Sequence, residues 1–258
     1  MRKIYILLLL SVFLISACGV QNTPLTGQAT KSPDAVVYVD VDNDGVVTAS
    51  DRKMTVSPDE FGNYEIRVVD RANMIIPAST KIIAKEEEST ISIFAQNGGV
   101  IIGDSAKIQS KGEVIISAAG DIKIGMKAKL SAKSSLDFDA GGDVGQIAIG
   151  DGTTLKAPYI IITNFFGRGP IVGNKIKIQT EDLTFSGFSN VLITNSMIKL
   201  AGSNGYSLFE VNTPGTGYAI DLSGTSFSGK DYSVFGYGTP SNTATTRFRG
   251  KPSYISFE

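Results

Sequence analysis

Residues 98–157 read GGVIIGDSAKIQSKGEVIISAAGDIKIGMKAKLSAKSSLDFDAGGDVGQIAIGDGTTLKA. An apolar residue followed by Gly recurs in this stretch and just beyond it, at spacings of 22, 25 and 23, as Ile102-Gly103, Ile124-Gly125, Ile149-Gly150 and Val172-Gly173. Short segments between these pairs carry apolar residues at alternate positions, which is the period of a β-strand. A repeat of this length predicts supersecondary units that stack on one another.

The same pattern extends over residues 74–243, where alternating strands are separated by turns rich in Gly, Asn and Asp. A single unit cannot bury its apolar face, but stacked units bury one continuous column of Ile, Val and Leu. We therefore predict an all-β fold: a parallel β-helix (β-solenoid) of seven coils, give or take one, with the right-handed sense as the default. The predicted coils are residues 74–99, 100–121, 122–145, 146–169, 170–190, 191–217 and 218–243.

The open strand edges of such a stack need protection. We expect a small N-terminal β module, residues 35–73, to cover one end. We expect the irregular tail, residues 244–258, to cap the other.

Residues 114–143 resemble the repeats of filamentous-haemagglutinin-type adhesins, with phrases of the form Ala-Gly-Gly-Asp-apolar-x-apolar. The resemblance extends over about residues 98–157 and implies a β-helix with an adhesive role. The same phrases are similar to those of polymer-forming cytoskeletal β-helices, whose coils are shorter. Fold similarity by itself does not assign a function.

The composition excludes several classes of function. Lys and Arg total 24 against 25 Asp and Glu, and a net charge of −1 argues against a nucleic-acid partner, which requires a basic face. The chain contains no His, which excludes Ser-His-Asp and Cys-His catalysis and every His-ligated metal site. Its single Cys cannot form an internal disulfide.

The N-terminus reads MRKIYILLLLSVFLISAC. Arg2 and Lys3 precede an apolar run that is shorter than the about 20 residues needed to span a bilayer. Small residues then precede Cys18, the only Cys of the chain. This segment resembles a prokaryotic lipoprotein signal, which implies that residues 1–17 are removed and that Cys18 carries a covalent lipid of the palmitate type.

The resemblance implies a membrane-anchored lipoprotein at an extracytoplasmic or cell-surface location. An ordinary secretory signal with an incidental Cys is the alternative. Residues 18–34 are polar and rich in Thr, Gly and Pro, a composition typical of a flexible tether.

Residues 36–51 read VVYVDVDNDGVVTASD and contain an acidic loop. Calcium prefers six to eight oxygen ligands, and Gly45 allows the backbone to curl so that alternate carboxylates converge. The predicted calcium ligands are Asp40, Asp42, Asp44, the carbonyl of Val46, Thr48 and Asp51.

The pattern resembles the calcium loops of EF-hands and dockerins, except that Asp51 stands where an EF-hand has a longer bidentate Glu. The strand-like flanks, over residues 36–69, resemble the calcium-loop β-sandwich modules of surface adhesins. A solvated acidic turn without metal is the alternative.

Aromatic residues concentrate in the second half of the chain: of the 22 Phe and Tyr residues, 15 lie from Tyr159 onward. Tyr232 and Tyr237 are the candidates for exposed rings that stack on glycans. Phe185, Phe209 and Phe227 lie in alternating patterns and are expected in the core.

A second function is a polysaccharide lyase or glycosidase, since such enzymes use paired carboxylates. Asp137 and Asp139 flank Phe138 and are expected to share an outward face, although any solvated strand shows such a pattern. The lysines from residue 107 to residue 156 are interleaved with seven acids between residues 104 and 151, which predicts a surface of mixed charge.

These observations predict a lipid-anchored, non-catalytic β-helix with an adhesive or envelope-structural role. Its partners would be the membrane, a glycan or envelope polymer, and other copies of itself. The alternatives are a polysaccharide-active enzyme and a self-assembling envelope protein.

Overall fold

The computed structural model describes residues 34–142, 145–164, 169–202, 204–211, 219–238 and 241–258. This part of the chain is all-β, contains no helix, and forms a parallel β-solenoid of eight coils, which confirms the predicted fold class. No helix in it has the length and apolarity required to cross a bilayer. The predicted signal peptide, Cys18 and nearly all of the tether lie outside the described residues.

The strands are, in chain order, β1 (Ala35–Asp40), β2 (Arg52–Val56), β3 (Tyr64–Val68), β4 (Asn73–Ile76), β5 (Lys81–Ile83), β6 (Ile91–Ala95), β7 (Val100–Ile102), β8 (Lys107–Gln109), β9 (Val114–Ala118), β10 (Ile122–Ile124), β11 (Lys129–Ser131), β12 (Ser135–Ala140), β13 (Ile147–Ile149), β14 (Thr154–Lys156), β15 (Tyr159–Asn164), β16 (Ile171–Asn174), β17 (Lys177–Thr180), β18 (Asp182–Gly187), β19 (Val191–Thr194), β20 (Met197–Leu200), β21 (Gly205–Val211), β22 (Ile220–Asp221), β23 (Ser226–Tyr237), β24 (Ser241–Asn242) and β25 (Arg247–Phe257).

Each coil contributes one strand to each of three parallel faces. Face 1 consists of β4, β7, β10, β13, β16, β19, β22 and β24. Face 2 consists of β5, β8, β11, β14, β17, β20 and the first halves of β23 and β25. Face 3 consists of β3, β6, β9, β12, β15, β18, β21 and the second halves of the same two long strands, which join faces 2 and 3 into one sheet.

The register places equivalent apolar residues in line along the solenoid. Leu130 on face 2 pairs with Ile108 and Leu155 on the neighbouring coils, and all three side chains are buried. Because successive side chains of a strand point to opposite sides, every second residue adds to one interior column. Phe185 stacks on Phe209 there, with ring centroids 5.3 Å apart.

Three of the four recurring glycines, Gly103, Gly125 and Gly150, lie at the corner between faces 1 and 2, whereas Gly173 lies within β16, paired with Ile149. A Cβ atom on Gly103 would lie 2.4 Å from the backbone nitrogen of Ala78, and one on Gly125 would lie 2.6 Å from that of Asp104. Both approaches are closer than real side chains allow, so these two positions accept only Gly, whereas the later coils place Asn174 and Thr194 at the equivalent position. The period of these glycines in the sequence therefore arises because the corners of successive coils stack in close backbone contact.

The N-terminal strands close one end of the core. β1 pairs antiparallel with both β2 and β4, and its inward residues Val37 and Val39 belong to the same buried cluster as the coils. β3 already pairs in parallel with β6. Residues 35–73, which we predicted to form a small module, therefore share their core with the solenoid, and β3 belongs to face 3.

The C-terminal tail is a strand of the stack. β25 pairs in parallel with β23 along both halves, with a register shift between Gly229 and Ser233. Together with β24, it forms an eighth coil beyond the seven whose bounds we predicted. Its outer edge has no partner among the described residues.

Candidate functional site

The predicted acidic loop follows β1 directly. Asp40 ends the strand and is fully buried, whereas Asp42 and Asp44 are exposed. One carboxylate oxygen from each lies within 4.8 Å of the others. Gly45 has a φ of 78°, a left-handed value that the tight curl requires and that Gly adopts without strain.

Asp40 anchors this loop to the solenoid. Its Oδ1 accepts a hydrogen bond from the backbone N–H of Asp44 at 3.2 Å, and its Oδ2 accepts from that of Gly45 at 3.0 Å. The Nδ2 of Asn73 also donates to Oδ2, at 3.1 Å. The other end of the Asn73 amide accepts from the backbone N–H of Gly99 at 2.9 Å. Asp40 thus connects the loop to the first two coils.

The far side of the loop closes on Asp51. Its carboxylate accepts from the backbone N–H of Val41 at 3.1 Å and from that of Thr48 at 2.6 Å. Asp42 accepts from the Ser50 hydroxyl at 3.0 Å, and this hydrogen bond holds the pKa of Asp42 below its usual value.

Of the six predicted calcium ligands, the structure brings Asp40, Asp42 and Asp44 together. Thr48 and Asp51 lie against each other, and the side chain of Val46 is exposed. The three clustered carboxylates offer hard oxygen ligands of the kind that calcium prefers. Each carboxylate oxygen has two lone pairs, so Oδ1 of Asp40, which accepts one hydrogen bond, keeps capacity for an ion, whereas Oδ2 already accepts two.

Tyr232 was expected to be exposed, and this prediction was wrong. Its ring is buried because it begins the face 3 half of β23 with its side chain inward. Its hydroxyl donates to the backbone carbonyl of Arg249 at 3.1 Å, and burial raises its pKa. Tyr237 is exposed as expected, and Phe185, Phe209 and Phe227 are buried in the core as predicted.

Three aromatic rings form an outward ladder on face 3 that the sequence did not reveal. Tyr206 and Phe235 have ring centroids 5.3 Å apart, as do Phe235 and Tyr254. The rings lie on three successive coils, but their spacing in the sequence is irregular because these coils differ in length. Only the register between coils brings the three rings together, and the sequence does not show that register.

Asp137 and Asp139 share the outward side of β12, as expected. Asp137 lies between Ile115 and Ile161 of the neighbouring strands. Its Oδ2 accepts from the Ser135 hydroxyl at 3.0 Å, while Oδ1 is shielded from solvent and has no hydrogen-bond partner among the described residues. Burial raises the pKa of both carboxyl groups. A carboxyl group of this kind holds its proton more tightly, which is a property of general acids.

No family model, curated protein or solved structure matches the chain. The function is therefore argued from the residues of this chain and their arrangement.

Proposed function

We propose that the chain is a lipid-anchored β-solenoid that faces outward from a membrane and serves as a rigid adhesive or structural rod of the cell envelope. The observation that carries the anchor is the lone Cys18, preceded by Ser16 and Ala17 at the end of a short apolar run. The rod itself is the eight-coil solenoid. At about 4.8 Å per coil, it extends roughly 40 Å along its axis.

The tether and the rod have complementary roles in this proposal. Residues 18–34 lift the folded part away from the lipid surface, and the stacked coils present three flat faces that do not deform. Parallel strands on all three faces hydrogen-bond each coil to the next, so side chains far apart in the sequence hold fixed positions.

Calcium at the base of the rod is part of the same proposal. The clustered oxygens of Asp40, Asp42 and Asp44 support it, and the loop lies beside the end of the rod that follows the tether. An ion there would offset the repulsion between three carboxylates and stiffen the loop. The weak affinity implied by the short Asp51 suits the millimolar calcium of extracellular fluid.

Replacing Cys18 with Ser, while leaving the rest of the signal intact, tests the anchor. We expect the wild-type protein in the membrane fraction, labelled by a radioactive or clickable fatty acid. The Cys18→Ser protein should be unlabelled and should leave the membrane. Retention of the variant in the membrane after a carbonate wash would contradict lipid anchoring.

A polysaccharide-active enzyme is the second candidate, favoured by the shielded and unpartnered oxygen of Asp137. It predicts that chains of an acidic polysaccharide become shorter on incubation with the protein, and that Asp137→Asn abolishes the cleavage. The non-catalytic rod predicts chains of unchanged length.

A further inference from the structure

Face 2 carries two columns of outward side chains that run the length of the solenoid. In the first column, Lys81, Lys107 and Lys129 occupy directly paired positions on consecutive coils. The second column begins with Ile83 and Gln109 and continues through the same coils. Together the columns hold eight cations, namely Lys81, Lys107, Lys129, Lys156, Lys177, Lys199, Arg247 and Arg249.

The paired segments of face 2, which take residues 226–229 of β23 and 247–250 of β25, contain no Asp or Glu, and Asp231 lies at the bend where β23 passes to face 3. None of the eight cations forms an ion pair with a described residue. The lysines that do pair with acids lie off this face. Lys123 pairs with Asp121 at 3.1 Å, and Lys175 pairs with Asp151 at 3.4 Å. The fold thus separates the charges that the sequence mixes, and every charged residue in the two columns of face 2 is a cation.

The outward residues of face 3 carry a net negative charge, since its one pair of opposite charges, Glu65 and Arg67 on β3, cancels. Asp137, Asp139, Asp182 and Glu210 all lie there. The net charge of −1 therefore conceals two faces of opposite sign. Like charges in a column repel one another, so the unpaired cations of face 2 lower the stability of the free protein unless an anion neutralises them.

A shallow groove opens on face 2 near the C-terminal coils. Its volume is about 390 Å³, and its lining includes Lys177, Lys199 and Arg249. Gln179, Ser226 and Ser228 lie among these cations. The groove therefore combines charges for an anion with amide and hydroxyl groups that recognise sugar hydroxyls.

We propose that face 2 binds a linear polysaccharide that carries a carboxylate on each sugar, with the polymer lying along the solenoid axis. Coils repeat at about 4.8 Å, which is comparable to the length of one sugar residue in an extended chain. A polymer in this orientation meets a new pair of outward side chains at each sugar. The phosphates of duplex DNA wind around its axis, with a rise of about 3.4 Å per phosphate of one strand, so they do not stay in line with straight columns of this repeat.

The outward side chains of face 2 also argue against a membrane surface as the partner. Met197 is an exposed apolar side chain on this face, but its neighbours in the two columns are Lys, Arg, Gln, Ser and Thr. Peripheral membrane binding usually combines cations with apolar residues that insert between lipids. The biological setting of the proposal rests on the outward location proposed above, but the binding itself does not.

Binding of the full-length chain to immobilised polygalacturonate, in a neutral detergent and at low ionic strength, tests the proposal. We expect binding to polygalacturonate but not to neutral dextran, and weaker binding as salt screens the charges. The variant Lys177→Gln/Lys199→Gln/Arg249→Gln should bind about tenfold more weakly, since it removes three cations that line the groove; tenfold corresponds to about 1.4 kcal/mol.

The matched control is Lys123→Gln/Lys133→Gln/Lys175→Gln, which removes the same charge from lysines that pair with acids off face 2. It should bind as the wild type does. Equal losses in the two variants would overturn the proposal in favour of unspecific attraction. Equal or tighter binding to duplex DNA or to vesicles containing phosphatidylglycerol would also overturn it.

Two further readings separate this proposal from the others. Sedimentation without polymer reports whether face 2 docks on the acidic face 3 of a second copy, and salt-sensitive dimers that exclude polygalacturonate would overturn the proposal. Polymer length after binding reports catalysis, and shortened chains would contradict the non-catalytic rod rather than the binding face. Loss of binding would leave the Cys18 anchor untouched.

Discussion

Removal of the Asp40 carboxylate should destabilise the N-terminal end of the rod. The fully buried carboxylate accepts hydrogen bonds from the backbone of Asp44 and Gly45 and from the Asn73 side chain. A hydrogen bond to a charged group contributes about 1.5–3 kcal/mol. The two loop N–H groups can recover water in the variant, so the expected cost of Asp40→Ala is about 3 kcal/mol.

For a chain of this size, each kcal/mol corresponds to about 2–4 °C, so the melting temperature should fall by roughly 6–12 °C. Differential scanning calorimetry in excess chelator measures the hydrogen bonds alone, because no calcium contributes. Hydrogen exchange of the Gly45 amide provides a local reading, and we expect it to become fast in the variant.

The matched control is Asp42→Ala, which removes an exposed carboxylate whose side-chain partner is the Ser50 hydroxyl. It should change stability by less than about 1 kcal/mol. Two outcomes would contradict this reasoning: an Asp40→Ala melting temperature equal to that of the wild type, or an equal loss of stability in the two variants. Either would show that the three hydrogen bonds to Asp40 do not anchor the loop.

Two predictions concern other charges. Burial raises the pKa of Asp137, so the folded state holds this proton more tightly than the unfolded state does. Asp137→Asn should therefore raise the melting temperature at pH 7, and the gain should disappear as pH falls through the raised folded pKa; a gain that is independent of pH would contradict burial as its cause. If residues 40–51 hold calcium with the affinity of extracellular modules, 10 mM calcium should raise the melting temperature by roughly 3–10 °C relative to chelator. An unchanged melt would count against the ion, and an equal effect in Asp44→Ala would assign it to another site.

The solenoid could be predicted because its causes are local. The alternation of apolar and polar residues predicted which side chains point inward, and Gly103 and Gly125 marked corners where neighbouring coils are in close backbone contact. The eighth coil could not be predicted, because β25 has a neighbouring strand on one side only and its residues are mostly exposed. β25 also contains Pro252, which an edge strand tolerates where no partner requires its N–H.

The candidate functional residues could likewise be predicted only where their arrangement is local. Asp40, Asp42 and Asp44 converge through a turn of five residues, so the sequence was sufficient to group them. Tyr232 was misplaced because β23 turns the corner between two faces, and alternation does not continue across that bend. The aromatic ladder and the basic columns depend on register between coils of unequal length, which no local pattern contains.

The stacked glycine corners make the length of this rod adjustable in whole steps. Gly125 and Gly150 occupy equivalent corners, each donating its N–H to the carbonyl of the coil before it. Residues 125–149 are thus one interchangeable turn, and their loss or duplication would leave both ends and the identity of every face intact. Under the functions proposed above, gene duplication acting on such a chain would alter how far the rod reaches from its lipid anchor and how many sugars face 2 can bind. Reach and affinity would then change together, because both are counted in turns.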